Sequence, residues 1–335
     1  MAVYTEVSFD TAASLVARLG LGELTSLRGV HAGIENTNYF ADTAAGRYVL
    51  TVFERLGTDE LPFYLHLMQH LAHHGLPVPA PHADLGGALL HTLHGKPAAL
   101  VDRLPGAHRL APDAADCAAL GTMLARMHRA GADFELHQAH PRGLAWWADT
   151  AAVVRPFVDD AQRELVDTEL AFQQHLTASA AYATLPRGVV HADLFRDNVM
   201  FDDYGGGDTS APPRITGLFD FYFAGIDVLL FDLAVCLNDW CIDLDTGRLD
   251  AQRARALVDA YDATRALTGG ERRLLPALMR GAALRFWLSR LADLHRPRDA
   301  TLLTAHDPGH FERVLRERIA EPWHPGTPDP LADPP

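Results

Sequence analysis

The run His191-Ala192-Asp193-Leu194-Phe195-Arg196-Asp197-Asn198 constrains this chain more than any other stretch. Gly188-Val189-Val190 leads into it as a short apolar strand, and Val199-Met200-Phe201 resumes a strand after it. Asp193 therefore sits at a strand exit, where the backbone can aim a carboxylate outward. Asn198 follows as an amide, and a second strand over 214–219 ends on another carboxylate, Asp220, within Phe219-Asp220-Phe221. Two carboxylates and one amide oxygen at strand ends make a hard donor set of the kind that suits Mg²⁺ together with phosphate oxygens.

The spacing has a chemical use. Phosphoryl transfer needs a carboxylate beside the attacking hydroxyl to accept its proton. It also needs separate oxygen ligands for a metal that neutralises the triphosphate. An Asp-x-x-x-x-Asn loop followed by an Asp on a later strand divides those tasks as phosphoryl-transfer catalytic loops do. The alternative, turn formers capping a plain hairpin, leaves Asp220 without a purpose.

With 335 residues, 48% of them apolar, the chain can bury a large core and is expected to form two lobes. A net charge of −14 argues against a nucleic-acid or anionic-membrane partner. Cys117, Cys236 and Cys241 are odd in number, lie in apolar helical contexts and form no CxxC pair. They indicate reduced buried thiols rather than a zinc site or a disulfide framework, and hence a cytoplasmic protein. The N-terminus has no signal-peptide pattern, and the longest apolar stretch, 221–237, is broken by Asp227 and Asp232.

The expected fold class is α+β. A helix over 8–20 precedes an antiparallel meander, 27–40 and 47–53, whose tip at 33–38 can line a phosphate with backbone N–H groups and with Asn36, Thr37 and Asn38. Thr58 is expected to cap a helix reaching His74, with Leu61, Tyr64, Leu65, Met68 and Leu71 on one face and His66, His70, His73 and His74 toward solvent. Strands over 88–93 and 98–104 follow an extended Pro-rich connector at 76–81. Pro105-Gly106 marks a change of character, so residues 1–104 are assigned to a nucleotide-binding lobe that includes a hinge strand. Residues 105–320 form a mostly helical catalytic and substrate lobe, with helices over 113–130, 144–158, 161–176, 232–240, 251–267 and 270–295. The Gly-rich loop 203–213 is expected to be mobile, and the Pro-rich tail 321–335 disordered. No G-x-x-x-x-G-K-[ST] loop is present.

These pieces resemble the protein-kinase-like small-molecule kinases, the group that contains the aminoglycoside and choline kinases. His191 to Asn198 and Phe219-Asp220-Phe221-Tyr222-Phe223 carry the likeness, and Gly33-Ile34-Glu35-Asn36-Thr37-Asn38-Tyr39 and Asn238-Asp239-Trp240-Cys241 make the chain most similar, within that group, to the bacterial homoserine kinases. The resemblance runs over about residues 1–320. It implies a bilobal fold with ATP and Mg²⁺ between the lobes and L-homoserine as the small-molecule acceptor. Choline, an aminoglycoside, or nucleotide binding without turnover are the alternatives. By position, Asp193 would be the catalytic base and Asn198 and Asp220 the metal ligands. Gly33, Ile34, Glu35, Asn36, Thr37, Asn38 and Thr51, with Val101, Asp102 and Arg103 of the hinge strand, would meet ATP. His191 and Asp232 would brace the loop. Arg196 or Arg285 would meet the substrate carboxylate, Asp239 its ammonium, and Trp240 would wall the site. One departure stands out: the third strand carries Thr51 where the family pattern has Lys or Arg, with Arg47, Arg55 and Glu60 as the charged residues nearby.

Overall fold

The computed structural model describes residues 5–30, 36–202, 212–295 and 307–326. Gly33, Ile34 and Glu35, most of the Gly-rich loop (203–211) and the tail beyond 326 lie outside these residues. The chain forms two compact units. Met1–Gly106 and Thr216–Tyr222 make the first, and Ala107–Ile215 and Phe223–Pro335 the second.

The first unit is built on a five-stranded antiparallel sheet. Its elements are α1 (Phe9–Arg18), β1 (Leu24–Gly29), β2 (Asn36–Thr43), β3 (Arg47–Phe53), α2 (Leu61–His73), β4 (His91–Leu93) and β5 (Lys96–Asp102), with strand order β1-β2-β3-β5-β4. Alternation along the strands sends Tyr39, Ala41, Leu50, Val52, Ala98 and Leu100 to one face, where they pack with Leu15 and Val16 of α1. Asn38 and Thr51, paired across β2 and β3, take the opposite parity. The β4–β5 connection is a two-residue turn in which His94 and Gly95 both have positive φ, the geometry that matches the twist of a tight hairpin. Thr58 does not cap α2. The helix starts three residues later, with Glu60 at the N-cap and Pro62 in the first turn, and Glu60 Oε2 accepts the Gly57 N–H at 3.1 Å instead.

The second unit is mostly helical. It contains α3 (Ala114–Ala130), α4 (Leu144–Val154), α5 (Asp160–Thr177), α6 (Ala180–Ala183), β6 (Arg187–Val190) and β7 (Val199–Phe201). The chain crosses into the first unit within β8 (Ile215–Leu218) and returns after Tyr222 to β9 (Gly225–Val228), α7 (Leu230–Trp240), α8 (Ala251–Thr264), α9 (Gly269–His295) and α10 (Pro308–Ala320). Asp113 and Asp159 start α3 and α5 with capping boxes. Every residue of α7 is buried, so this helix is the axis of the unit. Three short or polar elements, α6, β9 and α10, were not expected from periodicity. β9 pairs antiparallel with β6, which carries the chain to His191. No helix among the described residues is long and apolar enough to cross a membrane.

Helix α3 packs on α8 at backbone distance. A Cβ added at Gly121 would lie 2.1 Å from the Leu257 carbonyl oxygen and 3.1 Å from the Tyr261 nitrogen, both of them backbone that cannot rotate away. Gly121→Ala is therefore expected to lower unfolding stability by about 2 kcal/mol or more, read from the denaturant midpoint. An unchanged midpoint would show that the two helices can separate freely.

Candidate active site

Strand β6 delivers His191 into the core, and the chain then turns sharply at Ala192, a non-glycine residue with φ of 64°. That left-handed conformation costs about 1–2 kcal/mol for a residue with a Cβ, so something must hold it. Asp232 of α7 does so. One carboxylate oxygen accepts the Ala192 N–H at 2.6 Å and the other the His191 N–H at 2.7 Å. His128 of α3 places Nε2 3.0 Å from the second oxygen and Nδ1 2.7 Å from the Tyr261 hydroxyl. A carboxylate only accepts, so Nε2 carries the proton, and in the neutral ring Nδ1 accepts from the tyrosine. Burial alone would raise the Asp232 pKa. The hydrogen bond and charge of His128, the His191 charge and the His191 N–H overcome it and hold the carboxyl below its ordinary value.

The rest of α7 continues this grip. Cys236 Sγ lies 3.7 Å from the Leu194 carbonyl oxygen, which also accepts Trp240 Nε1–H at 3.0 Å. Asp239 accepts the Arg196 backbone N–H at 2.9 Å. Positions 232, 236, 239 and 240 share one helical face, and that face lies along the loop. So braced, Asp193 presents a carboxylate whose side chain is 16% exposed. Asn198 closes the loop, its Nδ2 donating to the Asp193 carbonyl at 2.8 Å. That bond fixes the amide so that Oδ1 is its acceptor end.

The charged residues expected at the substrate separate into two kinds. Arg196 and Asp239 face each other: Arg196 Nε lies 3.1 Å from Asp239 Oδ2, another guanidinium nitrogen donates to the Asp239 carbonyl, and a third to Leu110 O at 2.9 Å. Both are buried, so the pair is a brace for the loop rather than a substrate carboxylate and ammonium contact. Burial pushes the Asp239 pKa up, against the opposing charge and hydrogen bonds of Arg196. Trp240 is fully buried and cannot wall an open site. Arg285 behaves differently. It is buried on α9, with Nη1 3.6 Å from Asp193 Oδ1 and the guanidinium carbon 3.8 Å from the Phe286 ring centre and 5.2 Å from that of Phe223.

In the first unit Asp220 has φ of 58°, a left-handed non-glycine position like Ala192. Burial first, and the Asp220 charge second, push the Tyr222 hydroxyl pKa well up. Thr51 is buried and donates to Asn38 Oδ1 at 2.7 Å. Thr37 is fully buried on the other face, donating to Glu54 Oε1 at 2.6 Å, and Glu54 in turn pairs with Lys96. Its side chain therefore serves that ion pair and not a phosphate, a correction to the expected role. The Lys96 cation is likewise on the face away from Thr51. Arg47 and Arg55 are exposed, and Glu60 is spent on Gly57. At the hinge strand Val101 pairs with Val49, and the Asp102 and Arg103 N–H groups bond to Ala80 O and Arg47 O at 3.0 Å each. His128, Tyr261 and Arg142 were not singled out from the sequence. Their only signal was polar or aromatic character with no motif around it.

Residues 26–267 match the model of a family described as the phosphotransferase enzyme family. A homoserine kinase of Polaromonas naphthalenivorans is 58% identical over 323 residues, spanning 96% of this chain and 99% of that protein. A homoserine kinase of Ralstonia nicotianae is 53% identical over 323 residues, spanning 95% and 96%. Among solved structures, the amicoumacin kinase hAmiN in complex with AMP-PNP, Ca²⁺ and Ami superposes with a TM-score of 0.66 at 16% identity, covering 93% of this chain and 92% of that one. A spectinomycin phosphotransferase in complex with ADP and spectinomycin gives 0.62 at 12% identity, covering 94% and 99%. At such identities the likeness carries the α+β fold, an antiparallel sheet unit followed by a mostly helical one.

Asp232→Asn replaces an acceptor facing two N–H groups with an amide that can satisfy only one. The expected loss is about 3 kcal/mol of unfolding stability at pH 7. Because the folded pKa is depressed, the carboxylate's contribution is present above the ordinary value of 3.8 and disappears as pH falls below it. Wild type and variant should therefore converge in denaturant titrations repeated toward pH 3. A gap that stays constant with pH would exclude the ionised brace.

Proposed function

The chain belongs to the phosphotransferase enzyme family, and from that membership we propose that it transfers the terminal phosphoryl group of ATP to the side-chain hydroxyl of L-homoserine, giving ADP and O-phospho-L-homoserine. One observation carries the reading above the rest: 58% identity to a homoserine kinase across 96% of the chain. The loop geometry supports the chemistry. Asp193 stands partly exposed at the end of a loop locked by Asp232, so its carboxylate is held ready to accept a proton without reorganising.

Asp193 is the base. It orients the substrate hydroxyl and takes its proton as the oxygen attacks in line. Asn198 and Asp220 are each an oxygen donor of the type that Mg²⁺ accepts, and Asn198 is already turned by its bond to the Asp193 carbonyl. Bound Mg²⁺ supplies neutralisation of the triphosphate charge. Asn36, Asn38 and Thr51, joined by the Thr51–Asn38 hydrogen bond, offer neutral donors on one face of the sheet for ATP where other members of the resembling group carry a cation. The acceptor is a small molecule, and no basic surface for nucleic acid is required of a chain with net charge −14.

The test is coupled ADP release with Mg·ATP against L-homoserine, L-threonine, choline and an aminoglycoside. Strong turnover with L-homoserine alone is expected, and preference for another acceptor would overturn the substrate. In Asp193→Asn, kcat should fall by about 10²–10⁴-fold with ATP affinity retained. A variant within tenfold of wild type would remove Asp193 from the base role.

A further inference from the structure

L-homoserine is a zwitterion, and its carboxylate must be met by positive charge close to the base. Extended, the molecule spans only about 5 Å from hydroxyl oxygen to carboxylate. The cation must therefore lie near Asp193, in the second unit's own architecture. Arg196 is adjacent in sequence but is spent on Asp239 and Leu110. Arg285 is at the right place, 3.6 Å from Asp193 Oδ1.

A second cation lies against the same aromatic ring as Arg285. Arg142 lies in the turn just before α4, and its carbonyl accepts Trp147 Nε1–H at 2.5 Å, which ties the turn to the helix. Its guanidinium carbon sits 4.4 Å from the Trp146 ring centre and 5.3 Å from that of Phe223. Arg285 sits 5.2 Å from the same Phe223 ring. Two guanidiniums thus converge on one aromatic ring, three residues after Asp220, in a protein whose net charge is −14. Cation–π stacking engages a guanidinium through its face, while its donors lie along its edge, the arrangement suited to bidentate carboxylate recognition.

We infer that Arg142 and Arg285, held around Phe223, form the clamp for the carboxylate of the amino-acid acceptor and make the enzyme select an amino acid over a plain amino alcohol. The inference rests on the homoserine reading above. The rival occupant for the same two cations is the phosphoryl group in transfer, which every acceptor would share.

The experiment compares L-homoserine with 3-aminopropan-1-ol, which keeps the hydroxyl and the ammonium but lacks the carboxylate. The readout is the ratio of their kcat/KM values in the wild-type chain, Arg142→Gln and Arg142→Lys. The ratio should fall at least tenfold in Arg142→Gln and by less in Arg142→Lys, which keeps the charge but not the fork. The change in Arg142→Gln should reside in the KM for L-homoserine rather than in kcat. The inhibition constant of L-2-aminobutyrate, homoserine without its hydroxyl, should rise in parallel, which gives a reading independent of turnover. Thermal melting confirms that each variant is folded. An unchanged ratio and inhibition constant, or an equal loss of kcat with both acceptors, would assign the cations to the phosphoryl group or to the fold and end the clamp. A wild-type chain that does not phosphorylate L-homoserine would instead remove the reading on which the clamp rests.

Discussion

A single buried carboxylate, that of Asp232, carries the loop that bears Asp193. It accepts two consecutive backbone N–H groups, and those bonds are what hold Ala192 in its left-handed turn. A buried N–H left without a partner costs about 1–3 kcal/mol, so the loop has no comparably stable conformation without this acceptor. The carboxylate itself is placed by a helix buried on all sides. Core packing, and not the flexible loop, therefore sets where Asp193 stands. His128 and Tyr261 extend the line of hydrogen bonds into α3 and α8, so helices well separated in sequence converge on the same point.

The same helix explains why two conspicuous charges, Arg196 and Asp239, face each other. Along α7, Asp232, Cys236, Asp239 and Trp240 recur at helical spacing and each touches the loop. Asp239 neutralises Arg196 there. A buried pair of this kind gains little net stability over an apolar one but penalises any arrangement that separates it, and here it locks the second half of the loop to the scaffold. The positive charge that stays beside Asp193 comes from α9 instead.

Local pattern made much of the chain legible. The meander, the long helices and the strand–loop–strand around Asp193 all follow from periodicity and turn residues, because those signals are carried by neighbours in sequence. The structure then joins Asp193 and Asn198 by a direct hydrogen bond. What sequence did not disclose was pairing at long range. Arg196 and Asp239 looked like a cation and an anion for a zwitterion, yet they are 43 positions apart and satisfy each other. Thr37 sat in a plausible phosphate tip, but strand parity turns its side chain into the core against Glu54. Short β9 lacked the length to register as a strand, and the Pro308-Gly309 start and polar sequence of α10 hid a helix whose inward face matters.

That last helix has a consequence for how the enzyme comes into being. Phe311 of α10 stacks with Phe286, 5.1 Å away, and with Phe195 of the Asp193 loop at 5.8 Å. Phe195 and Phe286 are themselves 4.4 Å apart. The three rings form one side of the loop's support, and the third is supplied by a segment more than a hundred residues downstream. On the ribosome Asp193 and its loop emerge long before the ring that completes their packing. The nascent chain thus holds the Asp193 carboxylate in an unfinished setting until α10 has emerged and packed, so the loop reaches its final support only when this distant segment folds.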